Sequence, residues 1–285
     1  HRVDRRQRQM CIRDRTMQKK KLSFVAAHPD DAEFCAGGLL SAWHKAGHSV
    51  KILCLTNGDA GHRQTKPAEL AILRAEEARL SAEIVGAALE IWPQADGELT
   101  ASIHLRKKLI GSIRAFAPDL IITHRVADYH PDHRAAGQLV QDSAYLLQVP
   151  AIVPEHAAMQ QMPAILLAYD RFQDPRPHRL DWVVDSTDHI DTVLSMLACH
   201  QTQVFEWLPQ IMGKTVNAED KATWLRKFYL AKPRAVAKAA TQAQKNKTGQ
   251  QSNDLTDLAF AEAFEVSEYG GRFDPSDFNF VNKKN

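Results

Sequence analysis

The sequence contains no apolar run of about 18 residues, the length that a membrane-spanning helix needs. Neither sign of charge is in excess: 36 Lys and Arg residues nearly balance 34 Asp and Glu residues, so the totals give no sign of a nucleic-acid-binding surface. There is no GxGxxG motif, so a dinucleotide site has no support. We therefore expect no membrane span and no nucleic-acid partner.

Cysteine is also scarce. The four cysteines, Cys11, Cys35, Cys54 and Cys199, form no CxxC pair and have no regular spacing. This pattern is typical of reduced thiols in a cytoplasm and not of a disulfide framework. We therefore expect a cytoplasmic protein. Apolar residues make up 44% of the 285 residues and charged residues 25%, which is typical of a globular protein with a substantial core.

Two segments differ from the rest of the chain. Residues 1–16 are nearly all charged or polar and lack apolar periodicity, so we expect a disordered or non-native extension, with Met17 as the natural start. Residues 235–253 are rich in Ala, Gln, Lys and Asn, and we expect a mobile excursion or an exposed helix there. We find no internal repeat and no clean linker, so residues 17–285 are predicted to form a single domain.

From residue 21 onward, short apolar runs alternate with amphipathic stretches. The alternation predicts right-handed βαβ crossovers and a mostly parallel sheet, that is, an α/β Rossmann-like three-layer sandwich. The strands are expected at Leu22–Ala27, Ser49–Thr56, Ala88–Trp92, Asp119–His124, Ala164–Asp170 and Asp181–Asp185. The helices are expected at Phe34–Gly47, Pro67–Gly86, Leu105–Phe116, about His133–Leu147 and His189–His200.

Polar side chains follow two of these strands. The first strand ends at "HPDD", residues 28–31, and the Asp119–His124 strand is followed by "ADYHPDHRAAG", residues 127–137. In the common strand order 3-2-1-4-5, the first and fourth strands are neighbours, and ligands bind where the order reverses at the carboxyl ends of the strands. We therefore expect the two clusters to meet in space.

The residue types in the two clusters indicate a hydrolytic metal centre. His28, Asp31 and His133 supply two imidazoles and one carboxylate, which with an open fourth position is the pattern of a catalytic zinc site. Asp30, beside a ligand, is placed to accept a proton from water as general base. His130 is placed to donate to a developing oxyanion or to the leaving amine.

Each signal also has a simpler reading. Asp30 or Asp31 would cap the following helix, and the HxxH spacing would be a helix start with exposed histidines. Arg74 would form a surface ion pair with Glu77. The cluster at residues 57–62 ("NGDAGH") would be a turn, since Asn, Gly and Asp favour turns. We favour the metal site because both motifs follow strands of one predicted sheet.

The two motifs, "AAHPDDAEFCAGG" and "HPDHRAAG", resemble those of the PIG-L/LmbE-like family of metal-dependent N-deacetylases, which act on N-acetylglucosamine-type groups. The similarity extends through most of residues 21–270, including "TNGDAGH", "RAEEARLSAEIVG" and "CHQTQ". "CHQTQ" departs from the more usual H-x-S-Q at Thr202. Residues 1–16 and 235–253 have no recognised counterpart in the family.

The resemblance implies specific roles. The zinc ligands fall on His28, Asp31 and His133, and the general base falls on Asp30. The histidine that assists the tetrahedral intermediate falls on His130. Substrate-contacting positions fall on Arg74 and Asp96.

We therefore expect a zinc-dependent hydrolase that removes an N-acetyl group from a small-molecule amino-sugar conjugate or a related amide. Ferrous iron in cells is an open alternative to Zn²⁺. Two other functions stay open: a metal-dependent phosphoesterase, which is disfavoured because only one ligand set is evident, and a sugar-binding module without turnover, which would not need Asp30. The number of chains that assemble is also open, a homo-oligomer included.

Overall fold

A computed structural model describes residues 19–248 and 258–282 of the chain. Its seven strands are β1 (Lys21–Ala26), β2 (Ser49–Cys54), β3 (Ala88–Ile91), β4 (Leu120–Thr123), β5 (Ala164–Ala168), β6 (Trp182–Asp185) and β7 (Ala261–Val266). Its α-helices are α1 (Asp31–Lys45), α2 (Pro67–Ile84), α3 (Ile103–Phe116), α4 (Pro131–Ala144), α5 (Ile190–Cys199), α6 (Leu208–Ile211) and α7 (Lys221–Thr248). A π-helical segment spans Thr202–Trp207, and short 3₁₀ turns lie at Tyr145–Gln148, Thr187–His189, Ala218–Asp220 and Pro275–Asn282.

The strands form one sheet in the order β3-β2-β1-β4-β5-β7-β6. The pairs from β3 to β5 are parallel, whereas β7 pairs antiparallel with both β5 and β6. The expected α/β architecture with a mostly parallel sheet is confirmed, and so is the 3-2-1-4-5 order of its first five strands. The insertion of β7 between β5 and β6 was not expected. Its pairing with these two strands joins residues far apart in the chain, and no local pattern predicts it.

Helices cover both faces of the sheet, which gives the predicted three layers. Leu22 and Phe24 of β1 belong to the core shared with α1, and Val25 belongs to the core shared with α3 and α4. Because side chains of a strand alternate between faces, an unbroken apolar run such as that of β1 fits a strand that is buried on both sides. All positions of β1 after Lys21 are buried.

Helix α1 begins at Asp31, earlier than the expected Phe34, and it is kinked. Ala36 has φ −147° and ψ 17°, which are non-helical angles. Just beyond the kink, the backbone N–H groups of Gly38 and Leu39 donate to the carboxylate of Glu262 on β7 at 2.6 and 2.9 Å. A second helical segment thus starts at the kink, and its first free N–H groups are satisfied by an acid from a distant strand.

Residues 235–248 belong to α7. Of the two alternatives for this segment, the helix is the one observed, but it is not exposed throughout: Val236, Ala237 and Ala240 are buried. Val236 and Ala237 pack with Ala261 and Ala263 of β7, where small side chains let a helix approach a strand closely. The predictions for residues 1–16 and for residues 249–253 lie outside the described residues.

Within the described ranges, we find no helix whose length and apolar character would let it cross a membrane.

Candidate metal centre

Two loops meet at one edge of the sheet. Strands β1 and β4 are parallel neighbours, with Val25 paired to Thr123, so the chain leaves both strands on the same side. His28 follows β1 and His133 lies in the first turn of α4, and their ring centroids are 5.2 Å apart. The predicted convergence of the two polar clusters is confirmed.

The carboxylate of Asp31 lies at the centre of this arrangement. Its Oδ1 is 3.3 Å from Nε2 of His133, and its Oδ2 is 3.5 Å from Nδ1 of His28. Oδ2 also accepts the backbone N–H of His28 at 2.7 Å, which fixes the side chain in place. Asp31 therefore contacts both expected histidine ligands, and neither it nor Asp30 is the simple helix cap of the alternative interpretation. The side chain of Asp30 makes no capping hydrogen bond.

The outer nitrogens of the two histidines are held by carboxylates. Nε2 of His28 lies 3.2 Å from Asp132 and 3.1 Å from Asp96, and Nδ1 of His133 lies 3.0 Å from Asp128. Metal-binding histidines usually have such a partner on the nitrogen that does not face the metal, because it fixes the orientation and tautomer of the ring. The two inner nitrogens are thus left to face Asp31.

Three groups of side chains bring their ligand atoms close enough to share a metal ion: His28, His130 and His133; Asp31, His124 and His133; and His28, Asp96 and Asp132. The expected set of His28, Asp31 and His133 is spread over the first two groups, and its members contact one another in pairs. Nitrogen and carboxylate oxygen in a buried cluster are the donors that zinc and ferrous iron accept, so the residues fit a divalent metal of this kind.

The electrostatics of the cluster favour positive charge. Burial opposes the charged imidazole of His28, yet the carboxylates of Asp132, Asp31 and Asp96 raise its pKa well above the ordinary value. Burial likewise opposes the charge of His133, but Asp31 and Asp128 raise the pKa of this ring to about 9. The carboxylates thus attract a cation, and a metal that binds here would take the place of the two protons.

His124 was not predicted as a site residue. It ends the apolar run of β4, its side chain is buried, and its Nε2 lies 3.2 Å from Oδ2 of Asp31. Its ring stacks on that of His133 with the centroids 4.0 Å apart. The sequence signal that could have identified His124 is its position directly after a buried strand, next to the end of β1.

Asp132 and Asp128 were not singled out either, although both lie inside the quoted motif. The side chain of Asp132 is fully buried and accepts the N–H groups of Gly97 and Leu99 at 2.7 and 3.2 Å, as well as contacting His28. Asp132 therefore joins the loop after β3 to the first metal loop. No local pattern indicates that this carboxylate faces another loop and not solvent.

His130 lies beside the two histidine ligands and caps α4. Its Nδ1 accepts the backbone N–H of Asp132 at 3.2 Å, so the neutral ring carries its proton on Nε2. Its ring centroid is 4.6 Å from that of His28 and 5.1 Å from that of His133. The interpretation of HxxH as a helix start with exposed histidines is wrong for His133, which is buried.

Arg74 and Asp96, the expected substrate-contacting residues, both lie at this centre. Arg74 is buried and contacts the carboxylates of Asp30 and Asp96 at 3.3 and 3.6 Å. The alternative of a surface ion pair with Glu77 is wrong, because Glu77 accepts the N–H and hydroxyl of Thr202. Whether a substrate contacts Arg74 or Asp96 stays a prediction.

The polar cluster after β2 supports these two residues. Asp59 accepts the backbone N–H of Asp96 at 2.9 Å, and the carbonyl of Gly58 accepts a hydrogen bond from Arg74 at 2.9 Å. Asn57 accepts the N–H of Asp59 at 3.2 Å, which is the turn that the simpler interpretation predicted. The segment is a turn whose hydrogen bonds also hold Asp96 and Arg74 in place at the site.

Several known proteins are similar to this chain. The PIG-L family, described as GlcNAc-PI de-N-acetylase, matches residues 23–144. A 4-oxalmesaconate hydratase from Pseudomonas putida is 26% identical over 69% of this chain and 80% of its own length. A diacetylchitobiose deacetylase from Thermococcus kodakarensis is 27% identical over 65% of this chain and 70% of its own length.

Among solved structures, an N,N'-diacetylchitobiose deacetylase from Pyrococcus horikoshii has the same fold, with a TM-score of 0.69 at 22% identity over 88% of this chain and 85% of the other. The matched segment, residues 23–144, contains every residue of the centre described above. The resemblance first seen in the two motifs is confirmed, because the PIG-L family model matches this segment.

Proposed function

We propose that the protein is a zinc-dependent hydrolase that removes the acetyl group from an N-acetylglucosamine-type conjugate or a related amide. One observation carries the proposal: Asp31 contacts the inner nitrogens of His28 and His133, whose outer nitrogens are held by aspartates, with the carboxylate of Asp30 next in the chain. The similarity to named deacetylases supports the amide as the bond that is cleaved.

His28, Asp31 and His133 would hold the metal in this proposal. A bound zinc ion supplies an acidified water molecule and a Lewis acid for the amide carbonyl. Asp30 accepts a proton from the attacking water and later gives it to the leaving amine. Water and the amide are thereby converted to acetate and a free amine, with the proton returned and Asp30 ready for another cycle.

His130 stabilises the oxygen of the carbonyl as negative charge develops on it. Because its Nδ1 is occupied by the N–H of Asp132, its Nε2–H is the available donor, and it belongs to the same close group as His28 and His133. The ring is fixed by the helix cap before the substrate arrives, which is the arrangement that makes an oxyanion donor effective.

A second candidate reaction is hydration of a carbon–carbon double bond. It is favoured by the similarity to the Pseudomonas putida hydratase, since activation of water by a metal and a base serves both reactions. The two candidates differ in the product, because hydration releases no acetate.

The test is turnover by the purified full chain with defined zinc loading. A panel of N-acetylglucosaminyl conjugates is assayed for acetate, phosphate monoesters for phosphate, and 4-oxalmesaconate, the compound named for the Pseudomonas putida relative, for loss of its ultraviolet absorbance. We expect acetate release alone. Acetate release no faster than that of the metal-free protein would contradict the deacetylase and favour a binding module. Phosphate release or double-bond hydration would identify the corresponding alternative.

A further inference from the structure

Tyr129 is an exposed aromatic residue beside the metal centre. It is 71% exposed, whereas Asp128 before it and Asp132 and His133 after it are buried. An aromatic ring gains free energy when it leaves water, and here the fold does not bury it in a core. The ring is therefore free to pack against a ligand that approaches the centre.

The ring of Tyr129 lies against two histidines of the centre. Its centroid is 5.8 Å from that of His130 and 5.3 Å from that of His133, and the ring planes are nearly perpendicular, at 83° and 75°. Edge-to-face contacts of this kind are favourable, and they do not cover both faces of a ring. Together with the 71% exposure, this geometry leaves at least one face of the phenol ring open to solvent.

The side of the centre that is open to solvent is the side on which Tyr129 lies. The three expected metal ligands are buried, whereas Asp30, Asp96 and His130 are partly exposed. A substrate amide must therefore approach on the side of these three residues. Since Tyr129 contacts His130, its ring lies beside the path of whatever group carries the amide.

The backbone that carries Tyr129 is held in place by hydrogen bonds on both sides. The carboxylate of Asp128 accepts the N–H of His130 at 2.9 Å and lies 3.0 Å from Nδ1 of His133. The guanidinium of Arg134 donates to the carbonyl oxygens of Asp128 and Tyr129 at 2.7 and 3.2 Å. A side chain on such a fixed backbone loses little conformational entropy when it contacts a ligand.

We propose that Tyr129 is a substrate-binding residue, and that the open face of its ring packs against the pyranose ring that carries the acetamido group. A pyranose has C–H groups on its faces and hydroxyls around its rim, and tyrosine likewise combines an apolar body with a polar tip. The identity of the ligand rests on the proposed function. Tyr129 would then select a sugar conjugate over a small acyclic amide, which has no ring to pack against it.

The kinetic test compares Tyr129→Ala with the wild type, both loaded with zinc. We expect KM for N-acetylglucosaminyl conjugates to rise by about tenfold and kcat to change by less than about threefold, because the contact is the same before and during the chemical step. Tyr129→Phe keeps the ring and should stay within about twofold of the wild type. Tyr145→Ala, at a tyrosine that is 76% exposed, is the matched control.

An acyclic amide shows whether the effect depends on the sugar. N-acetylethanolamine should be hydrolysed with the same kcat/KM by the wild type and by Tyr129→Ala. An equal loss on this amide and on the conjugates would overturn the proposal, because it would indicate damage to the metal centre. A fall in kcat for Tyr129→Phe with KM unchanged would also overturn it, since the hydroxyl and not the ring would then matter.

Binding without turnover separates this inference from the proposed function. N,N'-diacetylchitobiose is titrated by calorimetry into zinc-loaded Asp30→Asn, in which the proposed base is removed, and into the same variant with Tyr129→Ala. We expect the double variant to bind about tenfold more weakly. Equal affinities would overturn the role of Tyr129 and leave the deacetylase proposal standing. No binding by Asp30→Asn itself would contradict a sugar ligand, and with it both proposals.

Discussion

Oδ2 of Asp132 lies 3.2 Å from Nε2 of His28, although 104 positions separate the two residues in the chain. The same carboxylate accepts the N–H groups of Gly97 and Leu99. One fully buried side chain therefore connects three loops at the edge of the sheet. This connection fixes the ring of a proposed metal ligand from behind, and it leads to the first prediction.

Replacement of Asp132 by Ala should weaken metal binding by about 10- to 100-fold, because the outer nitrogen of His28 loses one of its two carboxylate partners, the one that is also fixed by Gly97 and Leu99. Asp132→Asn should weaken it less, since the amide oxygen still accepts a backbone N–H. Competition titration with a chromogenic chelator measures the affinity. Identical zinc affinities for the wild type and Asp132→Ala would show that this carboxylate does not support a ligand.

His133→Ala should remove the metal, because the variant loses a nitrogen donor that faces Asp31 directly. Zinc content by atomic spectroscopy after dialysis checks this outcome. His104→Ala, at an exposed histidine of α3, is the control and should retain a full complement of zinc. If His133→Ala also retained full zinc, the residue would not be a ligand.

Asp30→Asn should keep the metal and lose activity. The amide cannot accept a proton from water, so we expect kcat to fall by about 10²- to 10⁴-fold, the usual contribution of a general base. Zinc content and acetate release are measured on the same preparation. Full activity in this variant would refute the role of Asp30 as the base.

Glu262 should make stability depend on pH. Burial raises its pKa from 4.5 to about 7, although the N–H groups of Gly38 and Leu39 and the charge of Lys232 favour the ionised form. Folding raises the pKa of Glu262, so its protonated carboxyl contributes to the free energy of unfolding. This contribution is complete below pH 4.5 and is lost as the pH rises through about 7.

The melting temperature should therefore fall between pH 5 and pH 8, and Glu262→Gln should show a smaller fall over the same range. Glu69→Gln, at an exposed glutamate of α2, is the matched control and should follow the wild type. Differential scanning calorimetry across this range provides the measurement. Parallel curves for wild type and Glu262→Gln would exclude Glu262 as the source of the dependence.

Local patterns identified most of the regular structure. Helix α3 was predicted to begin at Leu105 and begins at Ile103, and it ends at Phe116 as predicted. Strand β2 ends at Cys54, two residues before the predicted Thr56. These elements were predictable because periodic apolar spacing, proline at a helix start and glycine at a helix end act over a few residues. The kink at Ala36 was not, because it depends on Glu262 from β7.

The candidate site was predictable to the same extent. Both motifs follow strands of one sheet, and ligands bind at the carboxyl ends of parallel strands. These two facts predicted that His28, Asp31 and His133 lie close together. The supporting residues were found only in the folded molecule. Asp132 carries no local signal, and the position of His124 directly after a buried strand does not say which residue it contacts, because each acts on a residue of the other loop.

The sequence by itself determined which elements form and which residue types stand at their ends, because these properties depend on the spacing of neighbours along the chain. Only the tertiary structure decided which atom faces which. A buried guanidinium such as that of Arg74 is identical in sequence to one on a surface, and only folding brings carbonyl and carboxylate oxygens within hydrogen-bond distance of it.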